Sequence, residues 1–227
     1  GASTRYSPST AELTFGLILA IMRQIPQSFE AMKRGEWYTP YGITLGGKTI
    51  GLIGAGRIGS QMAAVANAFG MNVLVWSRSM NQERADKLGA TSVSLEDLMR
   101  QSDVVSVHLA LNAGTTGLVN GDLMRLMKPT AYFINTARAD CTDEAALVEL
   151  LQQRKIAGAG LDVFQQEPLP AGHPLLALDN VVLTAHAGYP ADFSYEQFAE
   201  GSVANIEAFI EGRLDNAVNP EAAANRK

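Results

Sequence analysis

The stretch Lys48-Thr-Ile-Gly-Leu-Ile-Gly-Ala-Gly-Arg-Ile-Gly59 constrains the fold more than any other part of the chain. An apolar run, Ile50 to Ile53, leads into Gly54-x-Gly56-x-x-Gly59, and an amphipathic segment, Ile58 to Phe69, follows without a break. That order is strand, tight turn, helix. In such a unit the first glycine permits the turn, the second lets a pyrophosphate approach the backbone, and the third lets the helix lie close on the strand. The phosphates would rest on N–H groups at the helix start, where the dipole favours negative charge. Gly54, Gly56, Arg57, Ile58 and Gly59 are thus the first candidate cofactor-binding residues. A glycine triplet alone is common; the flanking strand and helix make this one specific.

The rest of the chain repeats the alternation. Strands are expected at Asn72 to Trp76, Ala90 to Val93, Asp103 to Leu109, Ala131 to Asn135, Ala157 to Val163 and Val181 to Thr184. Between them lie helical segments at Gln82 to Leu88, after the capping box Ser94-Leu-Glu-Asp97, at Asn120 to Met127, and from a Thr142 cap to about Gln153. Pro190 opens a closing helix that runs to about Glu211. Strands separated by helices of this length predict an α/β fold, a Rossmann-type doubly wound parallel sheet, with ligands bound outside the carboxyl ends of the strands where the order reverses.

Before the first strand, Ser9 to about Lys33 is helical, capped by Ser9 or Thr10 and kinked or divided at Pro26. Leu13, Leu17, Ile21 and Ile25 recur at helical spacing, and Phe15, Ile18, Leu19 and Met22 occupy other faces. Burial on more than one side means either a packed core helix or a subunit interface. Gly35 to Gly47 is a loop.

At 227 residues a sizeable core is available, and 47% apolar with 18% charged residues is ordinary for such a protein. A net charge of −5 argues against a general nucleic-acid surface. The single cysteine, Cys141, excludes an internal disulfide, fits a reducing cytoplasmic compartment, and is a small packed side chain. Leu13 to Met22 is too short to span a bilayer, so no membrane partner is expected, and no metal-ligating set stands out. The start at Gly rather than Met suggests a processed or engineered end.

Polar residues gather at the expected strand ends. Where an acid would bind the ribose 2′-OH of NAD, the chain has Ser77-Arg78-Ser79. A guanidinium with two hydroxyls suits a 2′-phosphate, which favours NADP over NAD; the plainer alternative is a solvated arginine. Asn135-Thr-Ala-Arg138, Asp162 with Glu167, and Thr184-Ala-His186 follow three further strands. Hydride transfer to a 2-keto acid needs a cation for the carboxylate, a proton donor for the carbonyl oxygen, and a carboxylate that keeps the donor charged. Arg138, His186 and Glu167 are the matching types.

With these pieces in place, the sequence resembles the D-isomer-specific 2-hydroxyacid dehydrogenase family. The resemblance rests on Ala11-Glu-Leu13, the glycine turn, His108-Leu109 with Thr115, Asn135-Thr-Ala-Arg138 leading to Asp143-Glu144, Leu161 to Pro170, and Thr184-Ala-His186, in order from about residue 9 to 219. It implies that His186 is the acid/base, Glu167 its partner and Arg138 the substrate-orienting residue. It further implies that Asp162 receives the nicotinamide carboxamide, and that His108, Leu109, Thr115, Thr136, Ala137 and Gly188 lie with the cofactor. It makes 9–34 a homodimerisation helix, 48–186 the Rossmann core and 190–212 a return helix, all within one dinucleotide-binding domain over 1–227. The substrate would be a small 2-keto or 2-hydroxy acid such as glyoxylate or hydroxypyruvate. The family's N-terminal substrate domain is largely missing here, so little activity is expected of these residues alone. A non-catalytic nucleotide-sensing or scaffolding dimer is the alternative. Three departures stand out: Ala139-Asp140 follows the Arg where the family has Gly, Ala185 replaces a Pro, and Ser77-Arg78 replaces an acid.

Overall fold

Strands that are apolar on both faces need cover above and below, and the helices between them supply it. The structure, a computed structural model, describes residues 8–214, 216, 217 and 219; the Gly1 start lies outside them. The chain divides into two compact units, of which Thr10–Gly188 is the larger.

That unit holds a seven-stranded, all-parallel sheet. Its strands are β1 (Thr49–Ile53), β2 (Asn72–Trp76), β3 (Thr91–Ser92), β4 (Val104–Val107), β5 (Tyr132–Asn135), β6 (Gly158–Leu161) and β7 (Val181–Leu183), in the order β3-β2-β1-β4-β5-β6-β7. Ile50 pairs with Val73 on one side and Val104 on the other, so the order reverses at β1 and β4. The helices are α1 (Ser9–Met22), α2 (Ile25–Lys33), α3 (Arg57–Ala68), α4 (Gln82–Asp86), α5 (Leu95–Gln101), α6 (Gly121–Met124) and α7 (Glu144–Gln152). Alternate strand residues face opposite layers. Ile50, Leu52, Val73, Val75 and Ile134 pack with Ile18, Met22, Met62, Ala66 and Ala85 of α1, α3 and α4. Ile53, Val105, Val107, Phe133 and Leu161 pack with Leu98, Met99, Met124, Leu147 and Leu151 of α5, α6 and α7. The second unit contains α8 (Asp192–Ile210).

Several boundaries differ from expectation for local reasons. The first helix breaks at the left-handed Gln24, ahead of Pro26, because proline is tolerated inside the first turn of α2. Asp143, rather than Thr142, caps α7: its Oδ1 accepts the Ala146 N–H at 3.0 Å. The Thr142 hydroxyl instead donates to the Ala139 carbonyl at 2.8 Å, closing a 3₁₀ turn over Ala139–Cys141. The last helix starts at Asp192 instead of Pro190. The Ser94 cap is as expected, its Oγ accepting the Asp97 N–H at 3.0 Å.

The apolar helix before β1 separates into two parts. α1 is packed within its own unit: Ile18 is fully buried, Phe15 stacks on Phe69 at 5.6 Å, and a Cβ on Gly160 would stand 3.0 Å from that of Leu17. The exposed apolar row lies on α2, where Ile25, Phe29 and Met32 recur at i, i+4 and i+7. Cys141 is fully buried, and burial pushes its thiol up, as suits an inert packed side chain.

Candidate active site

Parallel strands bring all their carboxyl ends to one edge, so Gly54, Ser77, His108, Thr136, Asp162 and Thr184 each begin a loop there. At the reversal point the three glycines do different things. Gly54 has φ +106°, and a Cβ on it would lie 2.5 Å from the His108 carbonyl oxygen. On Gly59 a Cβ would meet the Gly54 carbonyl oxygen at 2.1 Å, so this glycine sets the contact between α3 and the turn. Gly56 is exposed and has nothing within 4 Å of that position. Packing requires no glycine there; the bare backbone instead leaves room for a ligand to approach. It is also the N-cap of α3 and supplies no side-chain cap, so the helix start is suited to a bound anion. These features fit the pyrophosphate of a dinucleotide.

Beside the turn, His108 is held neutral. Burial pushes its pKa down to about 4, and its Nε2 meets the Ser106 hydroxyl at 2.9 Å. Ser77 is half-buried at the end of β2, with Arg78 and Ser79 exposed. Ser79 accepts from Arg84, a residue that the sequence alone did not single out.

The loops after β5, β6 and β7 bring a second group together. His186 Nδ1 lies 2.7 Å from Glu167 Oε2. The other oxygen of Glu167 accepts the Phe164 N–H at 3.0 Å. Burial alone would raise the Glu167 carboxyl, but His186, the Phe164 N–H and the charge of Arg138 together hold it below its ordinary value. Arg138 is exposed, its guanidinium donating to the Ala137 carbonyl at 2.6 Å, and its loop is braced by Asn135, whose Oδ1 accepts the Ala137 N–H at 2.9 Å.

Three residues expected near the cofactor lie one layer deeper and shape these loops. Asp162, 1% exposed, accepts the Thr184 hydroxyl at 2.5 Å and the Ala187 N–H at 2.7 Å on one oxygen, and the Gly188 N–H at 2.9 Å on the other. Its carbonyl takes the His186 N–H at 2.9 Å. His186 sits in the left-handed region at φ 53°, uncommon outside glycine, and this set of bonds holds it there. Thr136 is buried, with its hydroxyl 2.8 Å from that of Thr14. Thr115 braces the 110–115 turn by donating to the Ala110 carbonyl at 2.7 Å and accepting the Asn112 N–H at 2.9 Å.

Glu144 is a further support with no role expected of it. Its Oε2 accepts the Gln165 N–H at 3.1 Å and its Oε1 lies 3.4 Å from His173 Nε2, anchoring to α7 the loop that carries Glu167. Asp140 lines a cleft of about 440 Å³ together with Asn120, Asp143 and Gln165.

A doubly wound parallel sheet with this glycine turn at its switch point defines a dinucleotide-binding domain. The chain belongs to the D-isomer specific 2-hydroxyacid dehydrogenases, whose NAD-binding domain matches it over residues 15–188. It is 41% identical to a glyoxylate reductase of Aeropyrum pernix, across 96% of this chain and 68% of that one. Among solved structures it is similar to an oxidoreductase of Ralstonia solanacearum (TM-score 0.90, 39% identity, 97% of this chain and 69% of that one). It is also similar to an acyclic imino acid reductase in complex with NADPH and D-Arg (TM-score 0.83, 33% identity, 96% and 69%). The chain thus spans about two thirds of the length of these relatives. Among the described residues, no helix is long and apolar enough to cross a membrane.

Proposed function

We propose that the chain is the NADP-preferring half of an enzyme that reduces a small 2-keto acid, with glyoxylate or hydroxypyruvate as the substrate class. The observation that carries this reading is the 2.7 Å contact between His186 Nδ1 and Glu167 on the strand edge that also bears the glycine turn and Arg138. When bound, the nicotinamide supplies the hydride. Arg138 holds the substrate carboxylate and polarises the adjacent carbonyl. Since Nδ1 is engaged by Glu167, the proton that moves is the one on His186 Nε2, passed to the carbonyl oxygen. Glu167, held ionised, keeps the imidazole oriented. Asp162 sets the backbone from which His186 projects. The A. pernix relative's name supports the substrate class, and the NADPH complex of the imino acid reductase supports the cofactor. A homodimer built through α1 and α2 completes the proposal.

The test joins binding to turnover. Calorimetric titration is expected to show NADPH bound at least tenfold more tightly than NADH, about 1.4 kcal/mol. Glyoxylate reduction by these residues alone is expected below about 1 per second, because they span about two thirds of the length of the glyoxylate reductase they match and loose substrate positioning is costly. His186→Ala should abolish that reduction and leave NADPH binding within twofold. Normal cofactor binding without reduction of any small 2-keto acid would remove the catalytic part of the proposal, and a preference for NADH would remove the cofactor assignment.

A further inference from the structure

The turn after β2 carries a second cation. Met80 N–H donates to the Ser77 carbonyl at 3.0 Å, closing the turn, and Asn81 then caps α4 by accepting the Arg84 N–H at 2.9 Å. This cap puts Arg84 in the first turn of α4, and its side chain returns over Ser79. Nη1 donates both to the Ser79 carbonyl and, at 2.7 Å, to the Ser79 hydroxyl. Five N–H groups are available on a guanidinium, so those on Nε and Nη2 stay open for another acceptor.

Among the described residues, no carboxylate neutralises this arginine. The acids of α4 are engaged elsewhere, Glu83 with Lys87 at 3.0 Å and Asp86 with the Gln82 amide at 2.6 Å. Arg78 likewise has no acidic partner among the described residues. Its Nη1 lies 3.2 Å from where a Cβ on Gly114 would stand, so the bare backbone of the 112–114 turn makes room for it. Two arginines and the hydroxyls of Ser77 and Ser79 therefore lie on or beside one turn, exposed at Arg78 and Ser79, in a chain whose net charge is −5. Such a set is matched by a phosphate monoester, with about −1.5 to −2 charges and three acceptor oxygens.

We propose that Arg84, together with Arg78, binds the 2′-phosphate of the cofactor and is a determinant of NADP specificity. This rests on the dinucleotide reading above. Arg84 has two tasks on this account: Nη1 fixes the Ser79 turn, and the open side of the fork meets the phosphate.

The experiment separates the two tasks by using nucleotide fragments that differ only in the phosphate. The chain is titrated calorimetrically with 2′,5′-ADP and with 5′-AMP, as wild type, Arg84→Ala and Arg84→Lys. The wild type is expected to bind 2′,5′-ADP at least tenfold more tightly. Arg84→Ala should weaken 2′,5′-ADP by tenfold or more and change 5′-AMP by less than twofold, and Arg84→Lys, which keeps the charge, should recover part of the loss. Equal weakening of both ligands would reduce Arg84 to a brace of the turn and overturn the proposal, as would no change in either. Binding of both fragments without preference by the wild type would overturn it and leave the dinucleotide site standing. Binding of neither would remove the dinucleotide reading and the proposal together. Thermal melts of each variant identify any that fails to fold, and Arg84→Lys then carries the comparison.

Discussion

Single residues here do work that their type alone does not disclose. His108 was legible as a member of the strand edge, but its charge state comes from burial that only the fold creates. Its pKa is depressed to about 4 in the folded chain, against an ordinary value near 6.5. Between these limits the unfolded chain binds the proton and the folded chain does not, so stability rises with pH across the window and falls as pH drops from about 6.5 to 4. The upper bound is about 3 kcal/mol, at 1.36 kcal/mol per unit. His108→Gln should flatten the slope of unfolding free energy over that range, as measured by urea denaturation at several pH values; an unchanged slope would remove His108 as its source. Asp162, Thr136 and Thr115 teach the complementary lesson. The places of Asp162 and Thr136 at strand ends were visible in the sequence and Thr115 came from the family resemblance, but their hydrogen bonds to Ala187, Thr14 and Ala110 join distant segments or fix local loop shape, and no spacing rule gives these. Glu167 follows the usual sign for a carboxylate with a lowered pKa: its contribution is present above the unfolded value and is lost as pH falls through the folded one.

Among the elements, the glycine turn divides by what a methyl group would meet. Gly59→Ala would drive a Cβ into backbone at 2.1 Å, forcing α3 away from the turn, and should cost about 1–3 kcal/mol by analogy with overpacking. Gly56→Ala meets nothing within 4 Å and has an ordinary backbone at φ −76°, so stability should hold or rise slightly while NADPH affinity drops. Paired melting curves and titrations check both; a stable Gly59→Ala, or a Gly56→Ala that binds normally, would contradict the division. Element order and the parallel sheet were plain from periodicity, because the central strands are largely apolar on both faces, β3 with Thr91 and Ser92 being the exception. Ends were less so. Thr142 and Asp143 are both good caps by type, and which one serves depends on the 3₁₀ turn that Thr142 closes against Ala139. Likewise the all-round apolarity of α1 had two explanations, and the contacts with Gly160 and Phe69 account for the part of it that packs within the unit.

At the scale of the molecule, one run of exposed apolar surface lies on α2 and the loop that follows it, and another lies on α8, with Val203, Ile206, Phe209 and Ile210. Phe29 is 59% exposed, Trp37 87% and Tyr41 90%. Large aromatics on that scale mark interaction surfaces. Sedimentation is expected to give a dimer at micromolar concentration, and Phe29→Asp with Trp37→Asp should shift it to monomer with the fold retained; a wild-type monomer would point to another partner for this face. The same region has a reach toward the catalytic edge. α1 bonds the loop carrying Arg138 through Thr14 and Thr136, and the loop carrying His186 through the Thr10 hydroxyl and the Gly188 carbonyl at 2.9 Å. One helix therefore ties together the loops that carry Arg138 and His186. Displacing α1 along its axis would strain both loops at once.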